Sequence, residues 1–336
     1  MKPGKIPPSI LESVVFKYLG SNHPNLILGP SIGQDASLIK MGDRILVAST
    51  DPITGSIEDV GWLSVHINAN DIATFGVEPQ WFLNSIMLPP DSGPSELERI
   101  MKQIQEAAAS LNIVVAGGHT EITEGIENPI IAGFMLGETR EGSYVTSAGA
   151  QPGDAIVMTK TAAIEGTAIL AAEGYDFLVQ VLGKNVVDQA RGLRKNISVV
   201  REGVTAFKTG YLTAMHDPTE GGIANGIHEL CDASHVGCLI YPNLIPVHSA
   251  TKSICESLKI DHLQLISSGS MLLTCRKAHS NEVLKALASV SIPAVVIGET
   301  LKDPQDRLIE STQGKTELVR PESDALWTAL HRFTRS

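Results

Sequence analysis

Four acidic residues stand beside glycines or at the ends of apolar runs: Asp35 in GPSIGQDAS, Asp51 in STDP, Asp71 in INANDIATFG and Asp217 in HDPTEGG. Loops and element ends are where binding and catalytic carboxylates concentrate. Two bare carboxylates about 4 Å apart repel by about 4 kcal/mol at an effective dielectric of about 20, so a converging set needs a cation or takes up protons. Oxygen-only donors point to magnesium, which takes one or two carboxylates together with nucleotide phosphates. Taken singly, each is equally an ordinary turn or cap aspartate.

The segment HDPTEGGIANGIHEL (216–230) places Thr219, Glu220, Gly221 and Gly222 ahead of Ile223, Ile227 and Leu230, which recur at helical spacing. Free N–H groups at such a helix start make an anion site, with Asp217 beside it, and a plainly capped helix start is the alternative. GPSIGQDAS offers Gly33 and a hydroxyl next to Asp35, but it is not a P-loop, and no G-x-G-x-x-G follows a strand. His119 in GGHTE and His216 in HDPT flank glycine motifs; a neutral imidazole there exchanges protons near pH 7, unless hydrogen bonding makes it structural. Lys160 ends the run AIVMTK, where it meets a phosphate or stays solvated.

These residues need elements to hold them. RILVAS (44–49) is β-rich and ends at Thr50-Asp51-Pro52, since proline stops a central strand, so Asp51 is expected at a strand end. GWLSVHINANDIATFG (61–76) reads as a helix with Asn68 and Asp71 on one face. A second helix is expected with Ser95 as N-cap and Glu98 completing a capping box, burying Leu97, Ile100, Met101, Ile104, Ala108 and Leu111. It leads into a buried strand, NIVVAGG, whose Gly117 and Gly118 let a ligand or another backbone come close. PIIAGFMLGE (129–138) reads as the next strand. The turn cluster Gln151-Pro152-Gly153-Asp154 divides residues 1–150 from 151–336. Beyond it AIVMTK, a helix from about Ile164 to Glu173, SMLLTC (270–275) and AVVIGE (294–299) alternate in α+β or α/β fashion.

A chain of 336 residues suits two domains, each able to bury its own core. The formal charge of −11 argues against a nucleic-acid partner, which needs a basic surface. No apolar run approaches the roughly 20 residues of a membrane span, and MKPGKIPPSI lacks a secretory h-region, so a cytoplasmic protein is expected. Cys231, Cys238, Cys255 and Cys275 form no CxxC and suit reduced core thiols.

Taken in order, the motifs resemble the AIR synthase (PurM-like) superfamily. GQDAS is similar to its D-D-A-A segment, STDP to its T-T-D strand end, and NDIATFGVEP to its N-D-x-x-A-M-G-A-x-P helix. GGHTE is similar to its G-G-D/E/H-T turn, and HDPTEGG to its H-D-P-T-x-G-G helix start. HDPTEGG and LISSGSMLLT most resemble the hydrogenase maturation branch, HypE. The resemblance implies an N-terminal domain that binds ATP and forms a β-barrel with a second subunit, and a C-terminal α/β domain closing over the nucleotide. It implies Asp35, Asp51, Asp71 and Asp217 as magnesium–phosphate ligands with Asn70 beside them, and Gly117, Gly118 and Thr120 as a phosphate-side turn. ATP and Mg2+ would then activate an amide, carbonyl or phosphate oxygen on a small molecule or carrier protein; together with the two histidines read from their own contexts, Asp51, His119 and His216 are the expected catalytic groups. HypE carries its substrate on a C-terminal cysteine, whereas this sequence ends in HRFTRS with no cysteine after Cys275, and His119 resembles the G-G-H turn of selenophosphate synthetase. A non-catalytic ATP-binding maturation partner and a thiamine-monophosphate kinase-like activity are the other readings.

Overall fold

Alternation of buried and half-exposed residues in RILVASTDPI and PQWFLNSIML lays one face of each strand on a core. The computed structural model describes residues 4–333 apart from Gly55 and Gln313, so the last three residues of HRFTRS lie outside the described residues. Two sheets form. The first contains β1 (Leu26–Leu28), β2 (Ser37–Met41), β3 (Arg44–Ile53), β4 (Pro79–Leu88), β5 (Val114–Ile122) and β6 (Ile130–Thr139), in the order β1-β2-β3-β6-β4-β5. Only β4 and β5 pair in parallel there. The second contains β7 (Asp154–Thr159), β8 (Leu212–His216), β9 (Gly237–Ile240), β10 (Leu272–Arg276), β11 (Ala294–Leu301), β12 (Arg307–Ser311) and β13 (Gly314–Glu317). Its order is β13-β12-β9-β11-β7-β10-β8.

Helices α1 (Pro8–Ser13), α2 (Val60–Ala73) and α3 (Pro94–Ser110) belong to the first half. In the second half lie α4 (Ile164–Glu173), α5 (Tyr175–Leu182), α6 (Lys184–Gly192), α7 (Val200–Phe207), α8 (Gly222–Ser234), α9 (Ser249–Leu258), α10 (Ser280–Ser289) and α11 (Ala325–Phe333). Among the described residues no helix is long and apolar enough to cross a membrane. One hydrophobic cluster runs from Leu38, Leu63 and Ile67 through Ile164 and Leu265 to Leu326, so the two halves share a core. Alternate residues of β7 enter two further clusters, Ile156 and Met158 one, Ala155 and Val157 the other.

Every residue of α2 except Trp62 is buried, because the helix packs on β3, β6, α3 and α7 at once. A helix enclosed on all sides carries its polar residues into the interior. Asn68 shows why that is tolerated. Strand β3 does not end at Pro52 as expected from the proline; it runs to Ile53, with Asp51 opposite Gly133 and Pro52 opposite Ala132. The proline fits because β2 pairs with β3 only from Arg44 to Ala48, leaving a free edge beyond. Asn68 fills that edge: the Asp51 N–H donates to Asn68 Oδ1 (2.9 Å), and Asn68 Nδ2 donates to the carbonyls of Asp51 (3.1 Å) and Ser64 (2.8 Å).

Two other expectations are corrected. Helix α3 begins with Pro94 in its first turn after Gly93, without a side-chain cap, so Ser95 and Glu98 form no capping box; proline at the first helical position already serves as the start signal. Its buried stripe is Ile100, Ile104, Ala107 and Ala108, while Met101 is exposed. Strand β5, expected to be buried, is exposed along all nine residues, because it lies at the end of its sheet with only β4 beside it.

Gly133 sits directly beneath the Asn68 amide, and an added Cβ there would lie 2.3 Å from Nδ2. Gly133→Ala is expected to destabilise the protein by about 1–3 kcal/mol, the usual cost of overpacking, measured by urea unfolding. A loss below about 0.5 kcal/mol would show that Asn68 does not fix the end of β3.

Candidate functional site

Four separate elements deliver the four aspartates. Asp35 comes from the loop before β2, Asp51 from β3, Asp71 from the last turn of α2, and Asp217 from the turn between β8 and α8. Burial pushes the Asp71 carboxyl well above its ordinary range, and the charges of Asp51, Asp35 and Asp217 add to the shift. Asp217 is raised in the same way, by burial first and Asp35 next. Asp51 is raised to about 6, with burial outweighing the opposing pull of Lys5. Neither oxygen of Asp217 makes a well-formed hydrogen bond, and the nearby Asn70 amide offsets only a small part of its shift. Buried carboxyls in this state hold protons or wait for a cation. Among the described residues, no three acidic, histidine or cysteine side chains form a ready-made metal cage.

Asp35 has a partner of its own. The ring of His216, 1% exposed, lies between Asp35 (Nδ1 to Oδ1, 3.0 Å) and Glu229 (Nε2 to Oε2, 3.0 Å). Burial opposes a charge on the ring, but the two carboxylates outweigh it and raise the pKa to about 10. His216 is therefore a clamped imidazolium with both nitrogens engaged, not the neutral proton shuttle its motif suggested. Gly33 serves the same clamp. It has φ +74°, and a Cβ would stand 2.6 Å from the Glu229 carbonyl, so its lack of a side chain docks the Asp35 loop on α8 rather than cradling a phosphate.

Other expected ligands are already spent. Lys160 Nζ donates to the carbonyls of Asn196 and Ser198 (2.7 Å each) and pairs with Glu202 at 2.5 Å, which leaves nothing for a phosphate. Asn70 ties α2 to the segment before α7, donating to the Ile197 carbonyl (3.0 Å) and accepting from the Val199 N–H (2.8 Å). At the start of α8, Gly221 N–H donates to Asp324 Oδ2 (2.6 Å) and Gly222 N–H to the Thr219 carbonyl (3.0 Å), so a carboxylate of the chain itself occupies the expected anion site. Gly117, Gly118, His119 and Thr120 lie on exposed β5, and none of them lines the cavity beside the aspartates. There Gly118 allows close packing, with the Asn84 carbonyl 2.2 Å from where a Cβ would be, and His119 pairs with Glu121 at 3.2 Å.

A cavity of about 510 Å³ opens between the two halves, with Asp51 on its wall. Among its other polar groups are Glu165, Thr219, Glu220, Ser268 and Asp324, and Trp327 lines it as well. The N-terminal strap crosses it. The Lys5 N–H donates to Glu220 Oε2 (2.6 Å) and its Nζ to Thr219 Oγ1 (2.7 Å), with Glu229 3.9 Å away. Burial works against the ammonium, but Glu229, Asp51, Asp35 and Glu220 hold it charged. Sequence reasoning missed Lys5, Glu165, Asp324 and Trp327. Of these only Glu165 carried a local signal, a lone charge in the otherwise apolar IEGTAIL.

Two mixed sheets with helices packed over a shared core define a two-domain PurM-like protein. The chain belongs to the AIR synthase related protein family: residues 33–139 match its N-terminal domain and 151–310 its C-terminal domain. A Methanocaldococcus jannaschii protein named for hydrogenase expression/formation is 27% identical over 332 residues, covering 96% of each chain. The carbamoyl dehydratase HypE of Cupriavidus necator is 27% identical, over 80% of this chain and 77% of its own. HypE in a HypE–HypF complex superposes with a TM-score of 0.76 at 21% identity, covering 93% of this chain and 100% of that one. HypE in complex with ATP gives 0.72 at 21% identity, covering 95% of each. A ThiL structure with AMPPCP and TMP gives 0.69 at 22%, covering 90% of this chain and 94% of that one.

Because the His216 pKa is raised from 6.5 to about 10, the stability gained from its clamp is complete below about 6.5 and is lost as pH rises through about 10. Nitrogen-15 NMR is expected to show a doubly protonated ring at about pH 8, with stability falling from about pH 6.5 to about pH 10 and levelling above that. A neutral ring at that pH would contradict the clamp.

Proposed function

We propose that this protein binds magnesium–ATP at the buried aspartates and transfers the terminal phosphoryl group to an oxygen of a small molecule in the adjoining cavity. Asp51 is the observation that carries the reading. It lines the cavity, and its carboxyl also acts on that of Asp71, so one group touches both the nucleotide end and the acceptor end. The relatives support it: one is a carbamoyl dehydratase, and HypE and ThiL structures hold ATP and AMPPCP.

The donor set fits a hard cation. Asp71 and Asp217 offer buried oxygens that lack a cationic side-chain partner, and Asp51 and Asp35 complete the acidic edge, with phosphate and water supplying the remaining ligands. When bound, magnesium draws charge from the transferring phosphoryl oxygens. The chain's own residues do the rest. Lys5 Nζ offers a cation next to Asp51, and Asp51 takes up the proton that the acceptor loses as its oxygen bonds to phosphorus, from nitrogen where the acceptor is an amide. The bond between the terminal phosphorus and the ADP oxygen breaks, and ADP keeps that electron pair as the acceptor oxygen bonds to phosphorus.

The exposed β5 edge completes the proposal. Val114, Val115 and Ile122 on it and Phe134 on β6 are all solvent-exposed, on a strand with one free hydrogen-bonding side. Such an edge is normally covered. A second copy pairing there forms a homodimer and carries the GGHTE stretch of β5 into a shared interface. The division at residue 151 then separates a dimerising half from a closing half, in a protein working in the cytoplasm.

Asp71→Asn and Asp217→Asn are each expected to weaken magnesium–ATP binding by at least about tenfold in calorimetry. Unchanged affinity in both would defeat the metal assignment. ADP release on adding carbamoyl compounds, aminoimidazole precursors or thiamine monophosphate identifies the acceptor, and tight binding with no turnover on any of them would assign a nucleotide-sensing maturation partner instead. In light scattering, the native chain is expected at twice its 35.8 kDa mass and Ile122→Lys at the monomer mass; a monomeric native chain would overturn the dimer.

A further inference from the structure

The most deeply buried ion pair of the second half lies away from the cavity between the halves. Glu202, 1% exposed in the first turn of α7, faces Lys160, whose side chain is 12% exposed just beyond β7, and neither residue lines that cavity. Burial pulls the Lys160 pKa down, and Glu202 opposes it. Lys160 also takes the left-handed backbone conformation, with φ +52°, which a side chain of its size adopts at a cost. Replacing such a pair by apolar side chains of similar volume is often neutral or stabilising, so stability alone does not account for it.

What the ammonium holds points towards the aspartates. Its Nζ donates to the carbonyls of Asn196 and Ser198, at 2.7 Å each. The neighbouring backbone groups turn the other way: the Ile197 carbonyl accepts from Asn70 Nδ2 (3.0 Å), and the Val199 N–H donates to Asn70 Oδ1 (2.8 Å). The Ser198 carbonyl and the Val199 N–H belong to one peptide group, so Lys160 grips one end of it and Asn70 the other. Asn70 is fully buried on α2, immediately before Asp71 and beside Asp217. Gly203 lets α7 press on the same helix, since an added Cβ there would lie 2.3 Å from the Ala73 carbonyl.

We infer that Lys160 is a positioning residue for the carboxyls that hold the metal: by fixing the Asn196 and Ser198 carbonyls it orients the Asn70 amide, and through that amide it sets Asp71 and Asp217. Glu202 is its counterion. This rests on the proposal that Asp71 and Asp217 hold magnesium with ATP, and it gives the lysine a role other than the phosphate contact its sequence context suggested. In that role Lys160 touches neither nucleotide nor acceptor. Magnesium demands near-octahedral geometry with oxygens at about 2.0–2.1 Å, so a small displacement of one carboxyl weakens the metal's hold and leaves the other nucleotide contacts in place.

Calorimetry of the full-length protein compares ATP affinity in magnesium with ATP affinity in EDTA. Lys160→Met/Glu202→Leu removes both charges together and leaves no unpaired ion buried, so its melting temperature is expected to stay within about 5 °C of the native value. In this variant the gain in affinity that magnesium brings is expected to fall at least about fivefold, while affinity in EDTA changes less than about twofold. Hydrogen exchange at the Val199 amide, which reports its bond to Asn70, is expected to quicken at least about tenfold, with the amides of β3 unchanged. If the double variant does not fold, Lys160→Gln/Glu202→Gln, a neutral pair too short to span both carbonyls, is read by the same ratio. Equal losses in magnesium and EDTA from a folded variant, or Val199 exchange that does not change, overturns the inference. A native chain whose ATP affinity ignores magnesium defeats the metal assignment and the inference with it, whereas a native gain that persists in the variant removes only the role of Lys160.

Discussion

Burying carboxyl groups where two halves of one chain meet is the constraint to which the rest of this structure answers. Asp71 and Asp217 are 6% and 1% exposed, and the charge of Asp35 raises the cost of ionising both. The nearby cations are engaged elsewhere: His216 with Asp35 and Glu229, Lys160 with Glu202, and the Lys5 ammonium with Thr219 and, at 3.9 Å, Glu229, while the charge of Asp51 also acts on it. What remains is a pair of buried acids without a cationic side chain of their own. Such a pair lowers stability unless a bound cation offsets it, so any cation that these two carboxyls take up also stabilises the fold.

The scaffold around them is built to prevent collapse of that arrangement. Helix α2 is enclosed, so Asp71 cannot swing to solvent, and Asn68 and Asn70 lock the same helix to β3 and to the segment before α7. The Asp35 loop is fixed from the opposite side by the His216 clamp and the close approach of Gly33 to α8. From the N-terminal side, the strap is tied to the same set, the Lys5 N–H donating to Glu220 and its Nζ to Thr219.

Much of this was legible in the sequence, and the failures have physical causes. Period and punctuation placed α2, α4, β6, β7, β10 and β11, and the four aspartates were named from their contexts alone. Their neighbours were not. Glu165, Asp324 and Trp327 reach the cavity from positions more than a hundred residues beyond Asp51, and no spacing rule links them. Lys160, Gly221 and Gly33 had the right chemistry for a phosphate, yet each is consumed by a partner that only the tertiary fold brings close. Strand β5 looked buried because VVAG is apolar, and its exposure follows from lying at the sheet edge. Pro52 looked like a strand end because sequence does not reveal where a neighbouring strand stops pairing.

Proton release from Asp71 and Asp217 offers the most direct measurement of whether these carboxyls receive the nucleotide's cation. Both are raised well above the ordinary carboxylate range, so a cation arriving between them must drive protons off. Calorimetry of preformed magnesium–ATP near neutral pH, in buffers of different ionisation enthalpy, is expected to show about one proton or more released per nucleotide bound, and fewer in Asp71→Asn and Asp217→Asn. Binding heats independent of buffer, or a release unchanged in both variants, would contradict it.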